Sequence, residues 1–470
     1  MGEPLRRLAL ALAAVALAGC TTPVYNPATN EPLTAATPPN MGATVDIMSE
    51  NSIVLSLSGG GLRAAAFSYG VLDALGKIKT RDGDLLDDVR LISSVSGSSL
   101  TAAYFGLYGR EGLAKFRGEV LLPGFEDGMR LSMYNPSNLM RLFGGGVNTR
   151  ADFGEALDRN VFHGATFADL FRRGRPEVRI HATDLYHRVP FPFIPALFSV
   201  ICSDLSRYPI ADAVAASMAA PVVFAPIVVR TYPESCQPLS PEITAALARK
   251  HENSREVSAV EKAISVYQDP ARTRYIKLGD GGLTDNFGIS TLTIPRIMFG
   301  TPYAPFTERD AVTVRRLLVI VVDASSRPSS DWTLQESGPG GLDLVLSATD
   351  SAIEAGARRA VDAFGLMIEE WRQSVLYFRC GLTQADRARL GLARDWDCQD
   401  VTFSYAYLSA DELPQPSRDR IELIPTRLSL SAEQIDASIE GGREGALALE
   451  TLRAYVRDRR AAPQPQPRHD

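Results

Sequence analysis

Short continuous apolar runs alternate along the chain with longer stretches whose apolar residues recur at helical spacing, a pattern that predicts an α/β protein. Ser52 to Leu57 reads as a strand, Gly59 to Gly61 as a turn, and Ala64 to Leu75 as a helix. After a polar loop with Asp82, Asp84, Asp87 and Asp88, Val89 to Val95 reads as a second strand. It enters a small-residue turn at Ser96 and Gly97 and then a helix through about Leu107. Leu317 to Val322 is uninterrupted and aliphatic, as a parallel strand covered on both faces requires. The expected fold class is therefore α/β: a doubly wound α/β/α sandwich with a mostly parallel central sheet.

The remaining segments are assigned around this frame. The main body is expected over 46–430, with a polar, helix-favouring insertion at about 237–268. A C-terminal helix is expected over 431–460, broken at Gly441-Gly442, and 461–470 reads as a disordered Pro/Gln tail. Ile210 to Val229 is too interrupted by Asp212, Pro221 and Pro226 to span a bilayer, and reads as a buried helix followed by an extended segment. The apolar stretch Val189 to Ile201, with Phe191, Phe193 and Phe198, fits a buried strand pair better than an acyl-chain channel or an interfacial element, because it has no basic face.

Arg6 and Arg7 precede an apolar run from Leu8 to Ala18, too short for a span and right for a secretory signal over 1–19. Leu17-Ala18-Gly19-Cys20 resembles a bacterial lipobox, which implies cleavage before Cys20 and lipidation, palmitate included, of that residue. The same resemblance implies, with Thr21 rather than Asp after the cysteine, sorting to the outer membrane, so the expected location is the cell envelope. Residues 20–45, rich in Pro, Thr, Asn and Ala, read as a flexible tether. Four further cysteines, Cys202, Cys236, Cys380 and Cys398, are an even set in an exported chain. Three pairings are open; proximity favours Cys202 with Cys236 and Cys380 with Cys398, against free buried thiols. No His/Cys cluster has metal-ligand spacing, so no metal or cofactor is expected. With 49 Lys plus Arg against 55 Asp plus Glu, the net charge of −6 argues against a nucleic-acid partner.

Gly59-Gly60-Gly61 between a strand and a helix offers backbone N–H groups to negative charge: a pyrophosphate, a phosphate or an acyl-transfer oxyanion. A P-loop lysine is missing, and a dinucleotide site wants its carboxylate at the far end of the second strand, where Ser93-Ser94-Val95-Ser96 stands instead. Ser96 sits where a nucleophile elbow places its hydroxyl, although the same position suits a helix N-cap. Its proton acceptor is not evident among the histidines: none precedes it, His469 lies in the tail, and His163, His181, His187 and His251 read as surface or structural. Asp280, in Leu278-Gly279-Asp280-Gly281-Gly282 after a strand at Tyr275 to Leu278, is the alternative base, provided desolvation raises its pKa; the competing reading is an ordinary Asp-Gly turn.

Taken together, Gly-Gly-Gly-x-Arg at Gly59 to Arg63, the elbow at Ser96 and Asp280-Gly281-Gly282 resemble the patatin-like phospholipase family. Ala182-Thr-Asp-Leu185, Ala216-Ser-Met-Ala-Ala-Pro221 and Asp285-Asn-Phe-Gly288 support the likeness, which covers about 52–325. The resemblance implies Ser96 as nucleophile, Asp280 as general base, and the N–H groups of Gly59, Gly60 and Gly61, with Arg63 nearby, as the oxyanion hole. Together with the lipobox at Cys20, it implies a membrane-anchored acyl hydrolase acting on phospholipid or a related lipid ester. Ser94 and Ser98 depart from the elbow glycines usual in the family, which motivates one alternative: a non-catalytic member that binds lipid or a protein partner.

Overall fold

The computed structural model describes residues 24–35, 37, 46–81, 83–130, 135–171, 176–249, 251–325, 334, 336–338 and 340–461. The expected signal segment, Cys20 and the tail beyond 461 lie outside them. The apolar runs become an eight-stranded sheet: β1 (Asn51–Leu57), β2 (Val89–Val95), β3 (Glu177–Asp184), β4 (Val189–Pro192), β5 (Ile227–Arg230), β6 (Tyr275–Asp280), β7 (Arg316–Val322) and β8 (Thr402–Leu408). The order is β5-β6-β3-β2-β1-β7-β8, with β4 also paired to β3. From β3 through β8 the strands are parallel, as the sequence predicts. Beyond β3 the sheet turns antiparallel, because β4, β5 and β6 are joined by pairings that reverse direction.

Helices cover both faces, since β1 alternates Ile53, Leu55 and Leu57 toward one core and Val54 toward the other. On the first face lie α1 (Gly61–Lys77), α2 (Gly97–Phe116), α4 (Ile210–Ser217) and α6 (Ala432–Ala448); α3 (Pro136–Phe143) lies further along the chain from α2. On the second lies α5 (Gly341–Cys380), a helix of 40 residues whose Phe364, Ile368 and Trp371 pack on Leu91, Val319 and Val321. The insertion forms two helices, Pro241–Ala248 and Arg255–Tyr267.

Three sequence expectations change. The helix at 431–460 does not break at Gly441-Gly442; α6 runs through both, and the chain breaks at Leu449. Those glycines are packing devices: a Cβ on Gly442 would lie 2.0 Å from the Phe67 carbonyl, and one on Gly70 would lie 2.0 Å from that of Ile439. Small residues here let α1 and α6 touch backbone to backbone. Second, the tether is not free where it is described. Asn26 and Asn30 are buried, donating to the carbonyls of Ala225, Pro226 and Arg230, and Leu33 N–H binds the Cys202 carbonyl. Composition misled because two asparagine amides, each able to bond several backbone groups, replace an apolar anchor. Third, Val189 to Ile201 forms β4 and a short helix, Pro195–Val200. Phe191, Phe193 and Phe198 are buried with Tyr208 in one aromatic cluster.

The structure pairs Cys202 with Cys236 and Cys380 with Cys398. Among the described residues no helix is long and apolar enough to cross a membrane, and no group of three or more His, Cys, Asp or Glu side chains is arranged to hold a metal ion.

Candidate active site

Sheet register alone brings the candidate residues into a row. Leu57 is level with Ser94 and Val95 with His181, while Ala182 stands opposite Asp280. Two residues further along the chain from each member of the Leu57–Ser94 pair, Gly59 stands beside Ser96, with Asp280 delivered from the antiparallel side. The hydrogen bonds agree: the Ser96 hydroxyl donates to Asp280 Oδ2 at 2.8 Å.

Ser96 itself is held in a conformation that L-residues avoid, with φ 50° and ψ −128°. Its N–H donates to Ser217 Oγ at 2.8 Å, and the Ser217 hydroxyl donates to the His181 carbonyl at 2.6 Å. The tight point of the turn is Gly97, where a Cβ would lie 1.8 Å from the Gly61 carbonyl oxygen. Ser94 and Ser98 cause no such conflict. Both are buried; Ser94 Oγ donates to the Arg179 carbonyl at 3.3 Å and Ser98 Oγ to that of Ser58 at 2.6 Å. The elbow thus needs one glycine, and satisfied hydroxyls occupy the flanking places.

Asp280 ends β6, its N–H bonded to the Ala219 carbonyl and its Oδ1 accepting the Gly282 N–H at 2.8 Å. Burial raises its carboxyl to about 6, against the lowering effects of the Gly282 N–H and the Ser96 hydroxyl, with Asp350 adding to the rise. This is the desolvation that a carboxylate base for serine requires.

The glycine turn divides its donors. Gly59 N–H already binds Asn286, through the backbone carbonyl at 3.2 Å and Oδ1 at 3.3 Å. Gly60 and Gly61 begin α1 with φ 138° and 59°, and no acceptor among the described residues takes their N–H groups. Two donors at a helix N-terminus thus remain for an incoming oxyanion. Arg63 serves the turn differently from the role the sequence suggests. Its guanidinium is buried, donating to the Ala324 and Ile424 carbonyls at 2.8 and 2.6 Å and to Thr426 Oγ1 at 3.2 Å. It braces α1 against two distant segments, and burial lowers its pKa to about 10.

Ser217, Asn286 and Thr183, whose hydroxyl donates to the Asp280 carbonyl at 2.8 Å, complete the support. None bears a sequence signal of its own beyond lying in the stretches that carry the family likeness. The histidines stand apart from the pair: His181 is buried on Ser93 with its pKa lowered to about 4 by desolvation, and His187 binds Asp184. Beside the turn that follows Asp280, a groove of about 500 Å³ is lined by Leu283, Leu344, Val345, Ala348, Ala352 and Ile353. A larger cavity of about 630 Å³, bounded by Arg249, Tyr303 and Arg389, contains none of these groups.

A family model described as patatin-like phospholipase matches residues 55–293, about half of the chain. Among solved structures, the chain is similar to human GIVD cytosolic phospholipase A2, with 13% identity, a TM-score of 0.40, and coverage of 87% of this chain and 63% of that one. It is also similar to VipD from Legionella pneumophila, with 14% identity, a TM-score of 0.33, and coverage of 92% and 70%. The chain thus spans less than two thirds of the human enzyme's length. No curated protein matches.

Proposed function

The chain belongs to the patatin-like phospholipase family, and on that premise we propose that it is a serine acyl hydrolase cleaving lipid acyl esters, of the phospholipase A or lysophospholipase type, held at the cell envelope through an acylated Cys20. The observation that carries the reading is the 2.8 Å hydrogen bond from a serine at positive φ to a carboxylate whose pKa burial has raised.

In this mechanism Ser96 Oγ attacks the ester carbonyl carbon as its proton passes to Asp280 Oδ2. The oxyanion is held by the N–H groups of Gly60 and Gly61, with Gly59 holding the turn through Asn286. When the intermediate collapses, the C–O bond to the alcohol breaks and the alcohol takes the proton from Asp280, leaving the acyl group on Ser96. Water then gives a proton to Asp280 and attacks the acyl carbon; the bond to Ser96 breaks, its oxygen recovers the proton, and the fatty acid departs. The apolar groove at Leu283 and Leu344 suits the acyl chain.

The test is fatty-acid release from mixed phospholipid vesicles by the full chain and by Ser96→Ala. Release abolished by the substitution supports the reading. Equal release from both proteins overturns it.

A further inference from the structure

The strap at the N-terminus changes what a lipid anchor would do. Val24 N–H donates to the Gly144 carbonyl at 2.9 Å, so only Thr21, Thr22 and Pro23 separate a fixed point on the body from Cys20. Four residue steps reach at most about 14 Å. A free tether of two dozen residues would instead give a root-mean-square reach of about 27 Å and no preferred orientation. A leash this short selects one face.

That face connects with the site through a few hydrogen bonds. Gly144 leads into Val147 and Asn148, whose N–H groups bind the Val222 and Val223 carbonyls, and the same loop supplies the Ala219 carbonyl to Asp280 N–H. Tyr25 is 69% exposed, Pro221 is exposed, and Met140, Leu142, Val222 and Val223 are half-buried. Val222 has φ 75°, a strained conformation for a β-branched residue. Charge adds to the apolar character: Arg130 and Arg141, 2.6 and 3.8 Å from Asp152, share that one carboxylate and flank the same ribbon, leaving an excess of positive charge.

We propose that the face formed by Val24–Tyr25, α3 and the 144–148 and 220–224 ribbon lies on the bilayer that anchors Cys20, so that the Ser96–Asp280 site works in cis on lipids of that leaflet. This rests on the acyl-hydrolase reading for the reaction and on acylation of Cys20 for the anchor. A bilayer with anionic headgroups meets the chemistry of the face, apolar side chains within a weakly basic rim.

The experiment uses the full chain, with acylation of Cys20 checked by mass spectrometry of its N-terminal peptide. The protein is bound to vesicles of equal phosphatidylethanolamine and phosphatidylglycerol, and amide hydrogen exchange is compared with that of the Cys20→Ala protein in solution. Exchange over 142–146 and 220–224 is expected to slow about tenfold on vesicles. A Gly-Ser insertion between Pro23 and Val24 is expected to remove most of that protection and to lower fatty-acid release from vesicles, while release from lipid–detergent micelles stays unchanged. An unacylated Cys20, protection confined to another face such as that bearing Leu366 and Tyr377, or an insertion without effect on protection would overturn the proposal. Absence of micellar release from the intact protein would instead refute the hydrolase reading, since hydrogen exchange reads the docked face whether or not the protein turns over.

Discussion

The glycine turn at 59–61 and the serine turn at 94–98 leave neighbouring parallel strands and meet at the same hydroxyl, yet the first admits no side chain and the second carries three serines. At Gly61 a Cβ would lie 2.6 Å from the Arg427 carbonyl oxygen, and at Gly59 it would lie 3.1 Å from Ser96 Cβ. At Ser94 and Ser98 the side chains point to backbone carbonyls that accept them. Gly59, Gly60 and Gly61 meet close neighbours or a positive φ, and Ser94 and Ser98, which meet neither, keep their side chains. The departure from the usual elbow is thus accommodated locally, by hydroxyls whose hydrogen bonds are satisfied.

Substitutions that break this division have graded effects. Ser96→Ala and Asp280→Ala remove the proposed nucleophile and base, and each is expected to lower fatty-acid release by about 10³-fold or more in initial-rate measurements. Gly97→Ser tests the one strict position of the elbow; with 1.8 Å available it is expected to cost about 3 kcal/mol or more in urea unfolding, or to prevent folding. Asn286→Ala removes the Oδ1 acceptor of the Gly59 N–H, leaving only the backbone carbonyl of residue 286, and loosens the turn, with an expected loss in kcat/KM of about tenfold and little change in stability. Ser98→Gly restores the usual elbow glycine and is expected to cost about 1 kcal/mol from the lost hydrogen bond without raising the rate.

Acidity separates the site's chemistry from its stability. The Asp280 carboxyl is raised from 3.8 to about 6 in the folded chain, so the fold favours its neutral form. The stability this lends is full below its ordinary pKa and is lost as pH rises through about 6. Asp280→Asn, always neutral, is therefore expected to melt higher than the wild type at neutral pH and to lose that advantage in acid. The rate moves the other way: kcat/KM is expected to climb with pH through about 6 as the base ionises.

Much of the central architecture was legible because periodicity and turn chemistry are local. β1, β2 and β7, the two strand–turn–helix units, and Ser96 with Asp280 followed from runs, small-residue turns and a family likeness. What escaped depends on distant partners. Arg63 looks like a site residue in sequence, but its acceptors at Ala324 and Ile424 come from the far end of the chain. Gly441-Gly442 looks like a break until α1 is laid against it. Asn26 and Asn30 look like linker until the carbonyls they bind are in place. β8 and the N-terminal turns of α5, half-exposed and beyond the family likeness, have weak periodicity of their own.

The most direct measurement is covalent labelling of the full chain with an alkyl fluorophosphonate, followed by peptide mass spectrometry. One adduct on Ser96, absent from Ser96→Ala and slow to form in Asp280→Asn, is the predicted result. A protein that releases fatty acid while Ser96 stays unmodified, or that carries the adduct on another residue, would contradict the account.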